Sequence, residues 1–434
     1  MTWLIALMVL AGVFVLLRAL ARKKQNAIHT IEPGLTQDEP TSDSASGGSK
    51  SQLEPKTTQS LRKQTIDERL LPKAPSRGPH HPRSRLFDAA SARRRFSHSM
   101  RCKNRDLSVL AEDPEQLARH GLPLWRNEAQ LAEALGLSVG QLRHLSMHRI
   151  AERTPHYITF SIPKRSGGNR LIQAPKRKLK AAQKKVLSLL IHKLPVHEAA
   201  HGFRQGRSIR TGAEPHVHRR VVIRLDIKDF FPSLTFARIR GYLIAMGYGY
   251  EVATTLACLC SEPQRQPVEV GGEIVHVPVG PRVAPQGAPT SPGLLNAICH
   301  KLDCRMQGLA RAHGFAYTRY ADDLTFSGDY PDRVGKILSR ARAIIRSEGF
   351  EVNPSKTLVM RRGKAQRVTG VTVNETLGLS RQQRRLVRAA IHQASFVSPM
   401  DGTSKARLLG KVAYIQMLNQ SQAEPLRRQT EKLT

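Results

Sequence analysis

Along this chain the spacing of apolar residues changes period repeatedly, and each change marks an expected element. Trp3 to Leu17 is continuously apolar or glycine and is closed by Arg18, Arg22, Lys23 and Lys24, a run slightly short of a standard bilayer span. With no basic segment before it and no evident small-residue cleavage site, it reads as an uncleaved hydrophobic anchor helix. Basic residues on its C-terminal flank would keep the rest of the chain in the cytoplasm, tethered to the inner face of the membrane. From about Asn26 to Arg105, Ser, Thr, Pro, Gly and Lys/Arg replace large apolar residues, the composition of a disordered basic linker. Helical spacing starts in Pro114 to Leu135 and Val139 to Met147, with Trp125 and the leucines as core. Ile162 to Ile172 then alternates basic and apolar residues around Gly167-Gly168, as a β-hairpin would. Leu179 to Leu194 returns to helical spacing, with Leu179, Val186, Leu190 and Leu194 as its apolar face.

The central region is strand-like. Val221 to Ile227 is a β-branched run interrupted by Asp226, where a free charge would be costly. Asp229 opens a turn, and Ser233 is placed to cap a helix carrying Phe236, Ile239, Leu243 and Met246 and closing near Gly247. Val268 to Val277 has a Gly-Gly hairpin pattern. Phe315, Tyr317 and Arg319 alternate before Tyr320-Ala321-Asp322-Asp323, and Leu324-Thr325-Phe326 follows, so two aspartates fall at a hairpin tip. Val334, Ile337, Leu338, Ala341, Ile344 and Ile345 recur at helical spacing before Gly349. Phe350 to Lys356 reads as a short strand, a turn and a lysine, and Ser380 to Lys432 is basic and helical by pattern. Strands and helices in this order predict an α+β fold.

Asp226 on a strand and Asp322 with Asp323 on a neighbouring hairpin form the set that phosphoryl transfer with two Mg²⁺ ions requires. Hard cations take oxygen ligands and keep positions open for phosphate, and two ions about 3.5–4 Å apart serve the attacking and leaving oxygens together. Mn²⁺ is a substitute of similar chemistry, and the backbone at Ile227 is a further candidate ligand.

These residues also carry a family resemblance. Leu225-Asp226-Ile227-Lys228-Asp229-Phe230-Phe231 resembles the first catalytic motif of reverse transcriptases, Tyr320-Ala321-Asp322-Asp323 their YxDD motif, and Ala284 to Pro292 their PQG motif. Asn296-Ala297-Ile298-Cys299-His300 resembles the NAxxH signature of retron reverse transcriptases, and Val368-Thr369-Gly370 their VTG triplet. Gly410 to Ile415 is similar to their GxxxYI stretch, and the likeness runs from about Leu142 to the end. It implies a right-hand polymerase with fingers, palm and helical thumb. Asp226, Asp322 and Asp323 would bind metal. Lys164, Arg165 and Arg170 would meet the triphosphate, with Arg170 ranked first. Gln286 would face the incoming nucleotide, and Phe231 would lie under the deoxyribose and exclude a 2′-hydroxyl. Lys356 would protonate the leaving pyrophosphate. Asn296, His300, Val368, Thr369 and Gly370 would contact RNA. The product implied is single-stranded DNA copied from a cognate structured non-coding RNA, primed from a 2′-hydroxyl of that RNA, in anti-phage defence with a separate effector protein. Another bacterial reverse transcriptase, group II intron-like or diversity-generating, and a non-catalytic membrane-tethered RNA-binding scaffold remain open.

Charge agrees with a nucleic-acid partner. The 434 residues carry 69 Lys+Arg against 34 Asp+Glu, a formal net charge of +35, and phosphate is the obvious counter-charge. Cysteines at 102, 258, 260, 299 and 304 are odd in number and lack paired CxxC spacing, so neither a disulfide framework nor a zinc site is indicated. The histidines are scattered, reading as ordinary polar positions or RNA contacts. The expected organisation is an anchor at 1–24, a linker at 25–105, a helical unit at 106–155, fingers and palm at 156–375, and a thumb at 376–434.

Overall fold

A computed structural model describes residues 110–433 except 148–151, 165–166, 271 and 397–400, all within one compact unit. The expected anchor at 1–24 and linker at 25–105 lie outside the described residues, as do Arg165 and Cys102. Among the described residues no helix is long and apolar enough to cross a membrane.

Three short helices come first: α1 (Pro114–Arg119), α2 (Glu128–Leu135) and α3 (Val139–Ser146). Each starts at a side-chain cap, from Asp113, Asn127 and Ser138 respectively. The spacing from Pro114 to Leu135 suggested continuous helical periodicity, but the chain breaks between α1 and α2, where Gly121 turns left-handed and Pro123 follows. Trp125 in this break is buried and stacks on Tyr248.

β1 (Tyr157–Pro163) and β2 (Asn169–Pro175) form the expected antiparallel hairpin, followed by α4 (Arg177–Leu189) and a 3-10 turn at Ile191–Lys193. Next are the short α5 (Ile209–Ala213), β3 (Val221–Lys228), α6 (Phe236–Ala245), α7 (Tyr250–Leu259) and the ribbon β4 (Arg265–Val270) with β5 (Glu273–Pro278). The cap of α6 is Thr235, whose side chain accepts from Arg238 N; Ser233 instead donates to Phe230 O. Ser233 is taken up in the preceding turn, where its N donates to Asp229 O and Leu234 N donates to Phe231 O, so the helix starts two residues later.

α8 (Ser291–Ile298) and α9 (His300–Ala312) precede the hairpin β6 (Phe315–Tyr320) and β7 (Asp323–Gly328). α10 (Val334–Ser347), β8 (Glu351–Val352) and β9 (Leu358–Arg361) follow. The sheet runs β6-β7-β3-β8, with β9 also paired to β3, and every pairing is antiparallel. β3 is central, paired on both edges, and apolar clusters pack on both of its faces. Val221, Ile223, Leu225 and Ile227 join the main core with the helices, while Val222 joins a second apolar cluster. Arg224 and Asp226 share the face of Val222, because side chains alternate along a strand.

The second cluster is built by the small ribbon β10 (Arg367–Val368) and β11 (Val371–Thr372) and by α11 (Arg381–Ala394), α12 (Gly402–Leu418) and α13 (Gln420–Glu431). Val387, Ile391, Leu408, Val412 and Ile415 are its centre. The α+β expectation and the helical C-terminal region are both met.

Candidate active site

Asp226 lies directly opposite Asp323 in the β3–β7 register, and cross-strand partners put their side chains on one face about 4.5–5.5 Å apart at Cβ. Asp322 occupies the turn between β6 and β7, and its carbonyl accepts from Ile227 N at 2.9 Å. The turn is made by Ala321, which is left-handed at φ 55°. The three carboxylates therefore converge, and they feel one another. Burial raises the pKa of Asp322, and the Asp226 charge raises it further. Burial also pushes Asp323 up to about 6, with Arg224 pulling it down while Asp322 and Asp226 push it up. Arg224 Nε is 3.7 Å from Asp323 Oδ1.

Such a cluster of acids needs positive charge. Lys356 Nζ meets the two carboxylate oxygens of Asp226 at 3.1 and 2.9 Å, so the lysine is placed at the aspartates, on the turn after β8. Among the described residues no three His, Cys, Asp or Glu side chains are already gathered as a ligand set. The donors nonetheless fit a hard divalent cation, being all oxygen and disfavoured together without a counter-charge. Asp226 can ligate such an ion once Lys356 gives way. The Ile227 side chain is buried in the core, so its carbonyl is the group left to contribute.

The residues expected to meet the nucleotide lie on the β1–β2 hairpin, in the turn after β3 and in the turn before α8. Arg170 is exposed on β2, and its charge reaches Asp322. Lys164 is exposed at the other side of the hairpin tip. Gln173 N of β2 donates to Gln286 O at 2.9 Å, which ties the hairpin to the PQG turn. Gly287 makes that approach feasible: at φ 129° a Cβ there would meet Gln173 O at 2.7 Å. Phe231 is half-buried, in edge contact with Phe203 and Phe230.

Two expected RNA contacts are corrected by burial. Asn296 is 3% exposed, and both ends of its amide are used inside the protein: Nδ2 donates to Gly202 O at 2.8 Å and Oδ1 accepts from Arg319 Nη1 at 3.1 Å. Val368 is 1% exposed in the second core cluster. Thr369 and Gly370, by contrast, form the two-residue turn of the β10–β11 ribbon at φ 50° and 85°, a primed hairpin turn. His300 is half-buried, its ring against that of His197. His216 is no RNA contact either: it is fully buried between Ser327 and Thr318, and burial lowers its pKa to about 3.

Other parts were missed. Arg319 on β6 and Asp303 on α9 are both fully buried and make a two-pronged ion pair, Nε to Oδ1 at 2.8 Å and Nη2 to Oδ2 at 2.7 Å. Tyr317 also donates to Asp303, and Arg319 Nη1 donates to Ala321 O at 3.1 Å. The ion pair thus grips the left-handed residue beside the converging carboxylates. A charged residue on the core-facing alternation of β6 was the available signal. In the C-terminal region, Arg381, Arg384, Arg385 and Arg388 line a pocket of about 520 Å³ with Ser421, Gln422, Pro425 and Leu426. No ion pair to any of these arginines occurs among the described residues. Their spacing of three, four and seven is one helix face, and it was visible in the sequence.

A sheet whose strand ends gather three aspartates, flanked by a basic hairpin, a PQG turn and a helical C-terminal region, defines a right-hand nucleic-acid polymerase. The family profile described as reverse transcriptase (RNA-dependent DNA polymerase) matches residues 162–386. The chain is 58% identical over 369 residues to the retron Mx65 reverse transcriptase of Myxococcus xanthus, covering 85% of this chain and 86% of that protein. It is 44% identical to the retron Mx162 reverse transcriptase of the same organism, over 74% and 69% of the two chains. With the retron Ec86 reverse transcriptase of Escherichia coli it shares 32% identity over 69% and 93%. The chain belongs to the retron reverse transcriptase family and is an RNA-directed DNA polymerase dependent on divalent metal.

Proposed function

We propose that this polymerase copies part of one cognate structured non-coding RNA into single-stranded DNA, using dNTPs and Mg²⁺ and starting from a 2′-hydroxyl of the RNA itself. The observation that carries this reading is the convergence of Asp226, Asp322 and Asp323 in a chain so similar to retron enzymes. Bound Mg²⁺ would stabilise charge on the attacking oxygen and on the departing pyrophosphate. Asp226, Asp322 and Asp323 hold the ions, with the Ile227 carbonyl as a further ligand. Arg170 and Lys164 neutralise the triphosphate from the hairpin, with Arg165 as a third candidate. Gln286 meets the nucleotide from the PQG turn, which the Gln173 N to Gln286 O hydrogen bond ties to the hairpin.

Phe231 forms the wall beneath the sugar, where a 2′-hydroxyl would be desolvated without a partner. Lys356 is the proton donor for pyrophosphate; its reach to the aspartates supports that role. Thr369, Gly370 and His300 are the remaining surface candidates for RNA, and the four arginines of α11 supply phosphate contacts in the thumb. A role in anti-phage defence with a separate effector, and attachment to the membrane through residues 1–24, complete the proposal.

The test is to express the gene with its flanking transcript, purify the enzyme, and analyse the nucleic acid that accompanies it. Single-stranded DNA released from RNA by a 2′,5′-debranching activity is the expected product. DNA made from an ordinary 3′-terminus, indifferent to debranching, would overturn the priming assignment. Recovery of a C-terminally tagged chain wholly in the soluble fraction would remove the anchor.

A further inference from the structure

Phe203 is a large apolar residue that the fold both strains and exposes. Its φ is 56° and its side chain is 56% exposed. A bulky residue without glycine's freedom rarely adopts that backbone, and an exposed ring gains nothing from burial in return. Strain of this kind persists where the surroundings over-determine it.

Here they do. Arg319 N donates to Ala199 O at 2.7 Å and His201 N to Arg319 O at 2.8 Å, so residues 199–201 run alongside β6. Gly202 then lies flat on the catalytic turn, where a Cβ would stand 2.8 Å from Ala321 N. Asn296 holds the Gly202 carbonyl from below, and Arg204 closes the loop by donating to His197 O at 3.1 Å. The chain can leave Gly202 only by turning back, and Phe203 is the residue that turns. Its ring is 6.4 Å from Phe231 at 69° and 6.4 Å from Tyr320 at 41°. Three rings therefore cluster beside the turn that carries Asp322.

We propose that Phe203 is a specificity-determining residue that extends the Phe231 wall and packs against the deoxyribose of the incoming nucleotide. Asn296, with Arg319 and Asp303 behind it, is the positioning residue that aims it. A 2′-hydroxyl brought against two apolar rings loses water and gains no partner, so the second ring adds to discrimination against ribonucleotides. The proposal rests on Phe231 as the sugar-facing wall.

Glycine at this position separates strain from function. The full-length Phe203→Gly enzyme should unfold at the wild-type temperature or above, because glycine accepts the backbone. Its preference for dNTP over rNTP, as a ratio of kcat/KM in primer extension, should fall about tenfold, at the low end for a lost apolar contact. Most of the loss should be in KM, and Phe203→Tyr should restore the preference. Asn296→Asp keeps the acceptor for Arg319 but removes the donor to Gly202, and should reproduce part of the effect. A Phe203→Gly enzyme as discriminating as wild type overturns the proposal. Phe231→Ala run in parallel separates the two readings: if it alone admits ribonucleotides, the wall stands without Phe203, and if neither variant does, both assignments fall.

Discussion

The palm turn and the thumb surface spend positive charge in opposite ways. Arg319 is fully buried, with its guanidinium shared among Asp303, Asn296 and the Ala321 carbonyl. Arg381, Arg384, Arg385 and Arg388 line one face of α11, with no acid paired to them among the described residues. Burying an ion pair is costly and is repaid only when good geometry and further hydrogen bonds accompany it, as around Arg319, where each guanidinium nitrogen has a partner and Asp303 raises the guanidinium pKa against the lowering effect of burial. Like charges three and four residues apart on a helix repel, and that repulsion is relieved by an outside anion. One arrangement fixes the atoms of the aspartate turn, and the other leaves its positive charge without an acid partner among the described residues.

The largest effect tests the fixed side. Asp322→Asn combined with Asp323→Asn should lower primer extension by at least roughly 10³-fold, the upper range for losing one preorganised electrostatic group. The fold should persist, because neutral amides escape the burial cost that is the main cause raising both pKa values. A double variant that extends primers like wild type would remove these carboxylates from the chemistry.

The brace comes next. Arg319→Met leaves Asp303 buried and unpaired and should cost about 3–5 kcal/mol in denaturant unfolding. Arg319→Met with Asp303→Leu removes both charges and should regain much of that stability. If the brace positions the turn, the stabilised double variant will remain slow, since Ala321 O has lost its donor. Recovery of rate together with stability would reduce the ion pair to ordinary core structure.

On the thumb the order reverses. Changing Arg381, Arg384, Arg385 and Arg388 together to Gln should leave the unfolding midpoint unchanged or raise it, since each like-charge pair costs about 0.2–0.5 kcal/mol. RNA affinity should fall, and the slope of log K against log salt should become shallower by about 3, as expected for losing most of four phosphate contacts. An unchanged slope would mean that the pocket meets no phosphate.

The difference also explains what could be read from the sequence. Asp226 betrayed itself as a charge inside a β-branched run, and Asp322 and Asp323 as a tip between alternating segments, so the three carboxylates that converge were visible. The arginine face of α11 was passed over within a stretch read only as basic and helical, although its three-and-four spacing offered the signal. Asn296 was misread because an amide on a helix looks the same whether it faces RNA or Gly202; its two partners lie 94 and 23 residues away. Phe203 gave no signal at all, since a left-handed backbone is imposed on it by contacts with β6 and the catalytic turn. The α1–α2 break and the Thr235 cap are local shifts of the kind that propensity leaves open.

Two glycines carry the contrast down to its smallest effect. Gly202 and Gly370 each stand in a turn beside an expected functional motif, but a Cβ at Gly202 meets the backbone nitrogen of Ala321 at 2.8 Å, whereas one at Gly370 meets nothing within 4 Å. Gly202→Ala must therefore move the aspartate turn, and should slow nucleotide addition far more than it lowers stability. Gly370→Ala pays for its positive φ of 85° alone, about 1 kcal/mol, with primer extension on a generic template unchanged. Equal activity losses from the two substitutions would show that the β10–β11 turn is coupled to the aspartate turn.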